Sequence, residues 1–103
     1  MKRLVREVAA DKLVSAIIIT HNRKDLLPRA VISALSQSYE HIEVIVVDDG
    51  STDGTEELVL GMIQEGSAIT YLRHDVPQGA CAARNYGIRH ASGEYIAGLD
   101  DDD

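Results

Sequence analysis

Short β-branched runs alternating with helix-patterned stretches restrict this chain to an alternating α/β architecture. Val14-Ser15-Ala16-Ile17-Ile18-Ile19 and Glu43-Val44-Ile45-Val46-Val47 are nearly continuous apolar runs. That is the pattern of strands covered on both faces in a parallel sheet. Ile69 to Leu72 and Tyr95 to Leu99 supply a third and a fourth strand. Between them lie three helical patterns. The first takes Asp25 as N-cap, tolerates Pro28 in its first turn, carries Leu27, Val31, Ala34 and Leu35 on one face, and ends near Gln37. In the second, Asp53 caps the helix and Glu56 stands at the capping-box position; it runs to about Gln64, where Glu65-Gly66-Ser67 stops it. The third covers Ala80 to His90.

Strict alternation of this kind predicts a parallel sheet with right-handed crossovers, a doubly wound, Rossmann-like three-layer α/β sandwich. With 103 residues, 45% of them hydrophobic, there is room for one small domain with a thin core. Residues 14–103 are assigned to that domain. Residues 1–13, with Leu4, Val5, Val8 and Ala9 at helical spacing, are assigned to a short amphipathic helix or leader.

In such sheets ligands bind outside the carboxyl ends of the strands, and the polar residues collect there. Strand one delivers Thr20, His21, Asn22 and Arg23, strand two Asp48 and Asp49, and strand four the run Asp100 to Asp103. The net charge of −7 is local: without Asp48, Asp49, Asp53 and the four terminal aspartates, acids and bases balance. No basic stripe marks a nucleic-acid partner. Adjacent carboxylates attract a counter-ion, and Mg²⁺ or Mn²⁺ takes oxygen ligands from one or two carboxylates plus substrate phosphates. A solvated acidic tail is the plain alternative. Asp48 and Asp49 suit either recognition of a base imide or ribose hydroxyl, or ordinary turn and capping duty. Arg84, among small neighbours in a helix, suits a diphosphate or a structural ion pair. Arg23 suits the crevice or solvent. His41, His74 and His90 fall near element ends and read as surface residues, and the single cysteine, Cys81, as packing.

No G-x-G-x-x-G fingerprint or P-loop lysine follows strand one, which argues against hydride transfer and the common NTPases. Neither Ser51 nor Cys81 has a histidine placed to suggest a triad. A metal-assisted site for a nucleotide-linked phosphate leaving group is what remains.

Four segments in order, Val14 to Arg23, Val46 to Thr55, Ala83 to Ile88, and Gly93 to Ile96 with the terminal aspartates, resemble the nucleotide-binding half of a family-2 glycosyltransferase with the GT-A fold. The resemblance spans Val14 to Asp103 and implies sugar transfer, with inversion, from a nucleotide-sugar donor, expected to be UDP-linked, to an acceptor hydroxyl. It places Thr20, His21, Asn22, Arg23, Asp48, Asp49, Arg84, Asp100 and Asp101 in the nucleotide site. Within that set Asp49 contacts the uracil or equivalent base and Arg84 helps hold base or diphosphate. The aspartate run resembles the DXD motif, with Asp102 and Asp100 as ligands of Mn²⁺ or Mg²⁺. Asp101 fills the middle position, where the family often has a small residue, and His21 stands where Tyr or Phe is common.

By the same resemblance the general base lies beyond Asp103, and the chain reads as a truncated, partial GT-A fold with little activity alone. The acceptor is expected to be a glycan, a lipid-linked glycan or a protein, and the location cytoplasmic or peripheral at the inner face of the membrane. No apolar stretch approaches the roughly 20 residues of a membrane span. An exposed edge on strand four is expected to favour self-association. The rivals are a metal-dependent nucleotidyltransferase and a receiver-like Mg²⁺-binding signalling domain. Strand order separates the last from the transferase, 2-1-3-4 against 3-2-1-4.

Overall fold

The computed structural model describes residues 12–37 and 41–101. Most of the expected leader, and Asp102, lie outside the described residues. The elements are β1 (Val14–Thr20), α1 (Leu27–Leu35), β2 (Ile42–Asp49), α2 (Thr55–Gln64), β3 (Ile69–His74), α3 (Ala80–His90) and β4 (Tyr95–Asp100). Every strand runs past its apolar stretch at the carboxyl end. Thr20 pairs in register with Asp48, Asp49 with His74, and Ile19 with Asp100. Ladder bonds use only backbone N–H and C=O, so polar side chains at the strand ends do not interrupt them. Thr20, Asp48, Asp49 and Asp100 are therefore held by the sheet rather than by loops.

All strand pairs are parallel and the order is β3-β2-β1-β4. This is the order of the transferase half, and it departs from the receiver order.

Side-chain alternation along the central strands fills two separate cores. Ala16, Ile18, Val44 and Val46 pack with Leu27, Ala30, Val31 and Ala34 of α1 and Val59 of α2. On the other face Ile17, Ile45 and Val47 pack with Ala83 of α3. This is the three-layer sandwich. No described helix is long and apolar enough to cross a membrane.

Two helix starts differ from the sequence expectation. Asp25 is exposed and does not cap α1; Leu26 is the N-cap residue, and the Arg23 carbonyl takes the N–H groups of Leu26 and Leu27, each at 3.0 Å. Helix α2 starts from Gly54, whose φ of 95° suits only a residue without a Cβ. The carboxylate of Asp53 still serves that turn, accepting from Thr55 N at 3.2 Å and Thr55 Oγ1 at 2.5 Å. Its second oxygen accepts Lys24 N at 3.0 Å, tying the loop after β1 to the loop after β2.

Helix α3 lies close on the sheet because its facing residues are small. A Cβ on Gly87 would stand 2.9 Å from Ile17 Cγ2 and 3.1 Å from Val47 Cγ2, both in the buried core. Gly61 of α2 has open space around it. Gly87→Val is expected to destabilise the fold by about 1–3 kcal/mol through overpacking. Gly61→Ala should stabilise it by about 0.5–1 kcal/mol through helix propensity. Urea unfolding of the two variants checks both signs.

Candidate functional site

A cavity of about 890 Å³ opens at the carboxyl ends of β1, β2 and β4, on the face covered by α3. Strand parity decides what enters it. In β2, Val44, Val46 and Asp48 face α1 and α2, whereas Ile45, Val47 and Asp49 face α3. The two adjacent aspartates thus separate to opposite sides of the sheet.

Asp48 is fully buried, away from the cavity. Its Oδ1 accepts Ser51 N at 2.9 Å, and Oδ2 accepts the Tyr71 hydroxyl at 2.6 Å and Arg73 Nη1 at 3.0 Å. Burial, then the neighbouring carboxylate, raise the Tyr71 phenol well above its ordinary value, so it stays protonated and donates. Arg73 also reaches the Ser51 carbonyl at 3.0 Å. The sequence reading set Asp48 in the nucleotide site; the structure places its carboxylate on the opposite face of the sheet, with both oxygens bonded to the turn after β2 or to β3.

Asp49 does line the cavity. Its Oδ1 accepts Gln78 N at 2.8 Å and His74 Nδ1 at 3.1 Å, and its Oδ2 accepts Gly79 N at 2.9 Å. Burial opposes its ionisation, but the N–H groups of Gln78 and Gly79 and the imidazole of His74 outweigh that, and the carboxyl lies below its ordinary value. The start of α3, directly after Gly79, adds a favourable dipole.

The loop after β1 is braced from beneath. His21 Nδ1 donates to the Asp49 carbonyl at 2.7 Å, which leaves Nε2 facing the Asn22 amide at 3.4 Å. Asn22, at φ 53°, accepts Thr52 N on Oδ1 at 2.7 Å, and its own N–H donates to Ser51 Oγ at 2.9 Å. Its side chain serves this bracing and is not among the residues lining the cavity.

Thr20 lines the cavity from the end of β1, His21 and Arg23 from the loop after it, Arg84 from α3, Asp100 from the end of β4 and Asp101 from just beyond it. Asp100 is exposed. Asp101 turns inward and is buried, accepting from Thr20 Oγ1 at 3.1 Å, with Arg23 Nη1 at 3.6 Å from its other oxygen. The metal-ligand position expected at Asp102 lies outside the described residues. Among those described, no three His, Cys, Asp or Glu side chains gather as a metal cluster.

Two residues differ from the sequence expectation. Cys81 is exposed rather than packed. His74 is not a surface residue: its side chain is 13% exposed, bonded to Asp49 and stacked on Tyr86 at 4.8 Å between centroids. Its β3 register opposite Asp49 would have signalled this, had the strand been extended by two residues.

The model of glycosyl transferase family 2 matches residues 15–103. The chain belongs to that family. A relative from Escherichia coli, the UDP-Glc:alpha-D-GlcNAc-diphosphoundecaprenol beta-1,3-glucosyltransferase WfaP, is 44% identical over 92 residues, covering 89% of this chain and 36% of that protein. The mannosyltransferase PcManGT from Pyrobaculum calidifontis, solved with GDP-Man and Mn²⁺, superposes with a TM-score of 0.82 at 32% identity, over 88% of this chain and 28% of that one. S. aureus TarS 1-349 with UDP gives 0.72 at 25% identity, over 87% and 27%. The chain thus spans about a third of the length of the curated relatives it matches. These matches agree with the parallel α/β fold.

Asp49 and Asp53 both lie below their ordinary values, Asp53 chiefly through its bond from Thr55. Their stabilising contribution is complete above the unfolded carboxylate value of about 3.9 and is lost as pH falls through the lower folded values. Acid unfolding followed by circular dichroism should show a limb below about pH 4 that Asp49→Asn and Asp53→Asn each make shallower.

Proposed function

We propose that this chain is the donor-nucleotide part of an inverting glycosyltransferase that takes a UDP-linked sugar, and that Asp49 receives the base. The observation that carries this is the parity split of β2: Asp48 is spent on the turn, while Asp49 faces the cavity with its carboxylate anchored. An anchored, ionised carboxylate accepts an imide N–H and repels a base edge that presents a lone pair. His21, with its ring fixed by the Asp49 carbonyl, offers a face for the base. Arg84 and Arg23 offer cationic donors to the diphosphate.

The carboxylates at the far side suit a divalent ion. Asp100 is exposed on the cavity and Asp101 lines it with one oxygen bonded by Thr20, a donor set that fits a cation held by one or two carboxylates and completed by substrate phosphates. Asp100, with Asp102 as the expected second ligand, would hold Mn²⁺ or Mg²⁺, which when bound would supply charge neutralisation at the leaving diphosphate. In the reaction the acceptor oxygen bonds to the anomeric carbon as the bond from that carbon to the phosphate oxygen breaks. The acceptor proton passes to a carboxylate base, expected beyond Asp103 in the sequence of the whole protein.

The relative that uses UDP-Glc and a diphosphoundecaprenol-linked sugar supports a UDP donor and a lipid-linked glycan acceptor, hence work at the cytoplasmic face of a membrane. At the edge strand β4, Tyr95 and Ile96 are 46% and 44% exposed, which supports self-association of the isolated chain. Sedimentation over a wide concentration range should show association, and a monomer throughout would refute it.

Calorimetry of UDP with the chain, in Mn²⁺ and in chelator, tests the donor site. Binding is expected to be weak and to require the metal; equal heats in both would remove the ion from the site. Asp49→Ala should weaken UDP by about 0.5–3 kcal/mol while leaving the Mn²⁺ requirement intact. Asp100→Ala should reduce the requirement itself.

A further inference from the structure

We propose that His74 is a specificity-determining residue: by filling one acceptor position of the Asp49 carboxylate, it leaves the site a single acceptor, which suits uracil over guanine. This rests on the reading of Asp49 as the acceptor for the base. An ionised carboxylate has about four acceptor positions, two on each oxygen. On Oδ1 both are taken, by His74 Nδ1 at 3.1 Å and Gln78 N at 2.8 Å. On Oδ2 one is taken, by Gly79 N at 2.9 Å. A single position remains, on Oδ2.

Uracil presents one N–H, at N3, between two carbonyls. It needs one acceptor. Guanine presents N1–H beside its N2 amino group and gains its full interaction only from a carboxylate with a free position on each oxygen. Cytosine N3 and adenine N1 carry lone pairs and face any carboxylate unfavourably. The single open position therefore ranks uracil above guanine, and both above cytosine.

Of the three donors already on Asp49, two are main-chain N–H groups that no side-chain substitution removes. His74 is the adjustable one. It is held in place by more than this bond: its backbone is in register with Asp49, and its ring lies on Tyr86 at an interplanar angle of 12°. Tyr86 in turn meets the edge of His90 at 4.9 Å. Because the ring is fixed from behind by α3, the N–H it sends to Oδ1 cannot swing aside to make room for a second donor from the base.

The test titrates the chain with UDP, GDP and CDP at one Mn²⁺ concentration, for the unaltered sequence and three variants. His74→Phe keeps a ring on Tyr86 and removes the N–H. His74→Asn gives up the ring but places an amide donor near the position of Nδ1. His74→Leu is a second variant without the donor, and thermal unfolding identifies any variant that has lost its fold. The unaltered chain is expected to bind UDP more tightly than GDP, and CDP least. His74→Phe and His74→Leu should lower the UDP-to-GDP preference about three- to tenfold, the worth of one hydrogen bond, chiefly by improving GDP. His74→Asn should keep the preference. A purely structural histidine would instead weaken both nucleotides together, with Phe milder than Asn, and that result overturns the proposal. If the unaltered chain does not prefer UDP or GDP over CDP, the reading of Asp49 fails and the inference falls with it. If it does, but loss of the N–H leaves the UDP-to-GDP ratio unchanged, only the role of His74 falls.

Discussion

The buried carboxylate of Asp48 is the interaction on which the site depends. A carboxylate with no exposure is tolerated only when it is hydrogen-bonded, and here a main-chain N–H, a phenol and a guanidinium bond both of its oxygens. Its partners come from the turn after β2 and from two residues of β3, so satisfying this one charge fixes the turn and the end of the neighbouring strand together. Removing the carboxylate would leave Tyr71 and Ser51 N without their acceptor at the point where the sheet meets the cavity. The arrangement of Asp49 follows, because its backbone is clamped immediately after Asp48 and its side chain is sent to the opposite face.

Two glycines then set how closely the surroundings approach. Gly50 has φ 73° and faces Pro77, which a Cβ would meet at 2.5 Å, so the turn after β2 and the loop leading into α3 come into direct contact. That contact brings Gln78 and Gly79 within bonding distance of Asp49. At the other end of the sheet Ser15, Glu43, Ser92 and Gly93 form a second clamp. Ser15 Oγ donates to Glu43 at 2.5 Å, while the N–H groups of Ser92 and Gly93 donate to Glu43 at 2.7 Å and to Ser15 at 2.8 Å. The entry into β4 is thereby fixed against β1, and with it the register that carries Asp100 to the cavity.

Much of this was legible in the sequence, because apolar runs and helical spacing report burial, and burial follows periodicity. The four strands, the bounds of α3 and the crowding of polar residues at the carboxyl ends all follow from that signal. Parity at the end of β2 does not. Val44 and Val46 on one face match Ile45 and Val47 on the other, so no polar-apolar alternation says which of Asp48 and Asp49 turns toward the ligand. The strand ends were read short for a related reason: Asp49, His74 and Asp100 continue the ladder with side chains that carry no strand signal. His74 looked like a surface residue only because the partner that covers it, Tyr86, stands 12 positions away on a helix. Capping was misread where a backbone carbonyl, that of Arg23, did the work expected of the Asp25 side chain.

The bonds that join the loop after β1 to the loop after β2 are all made by the protein itself. Asn22 reaches Ser51 and Thr52, His21 reaches the Asp49 carbonyl, and Asp53 reaches Lys24. On the proposed reading, a nucleotide arriving at this end would meet two loops already tied to each other. Loops braced in this way would lose less ordering entropy on binding than free ones. On that reading, association at the base end should follow a single fast phase set by diffusion and charge, and a slower step would belong to the end near Asp100.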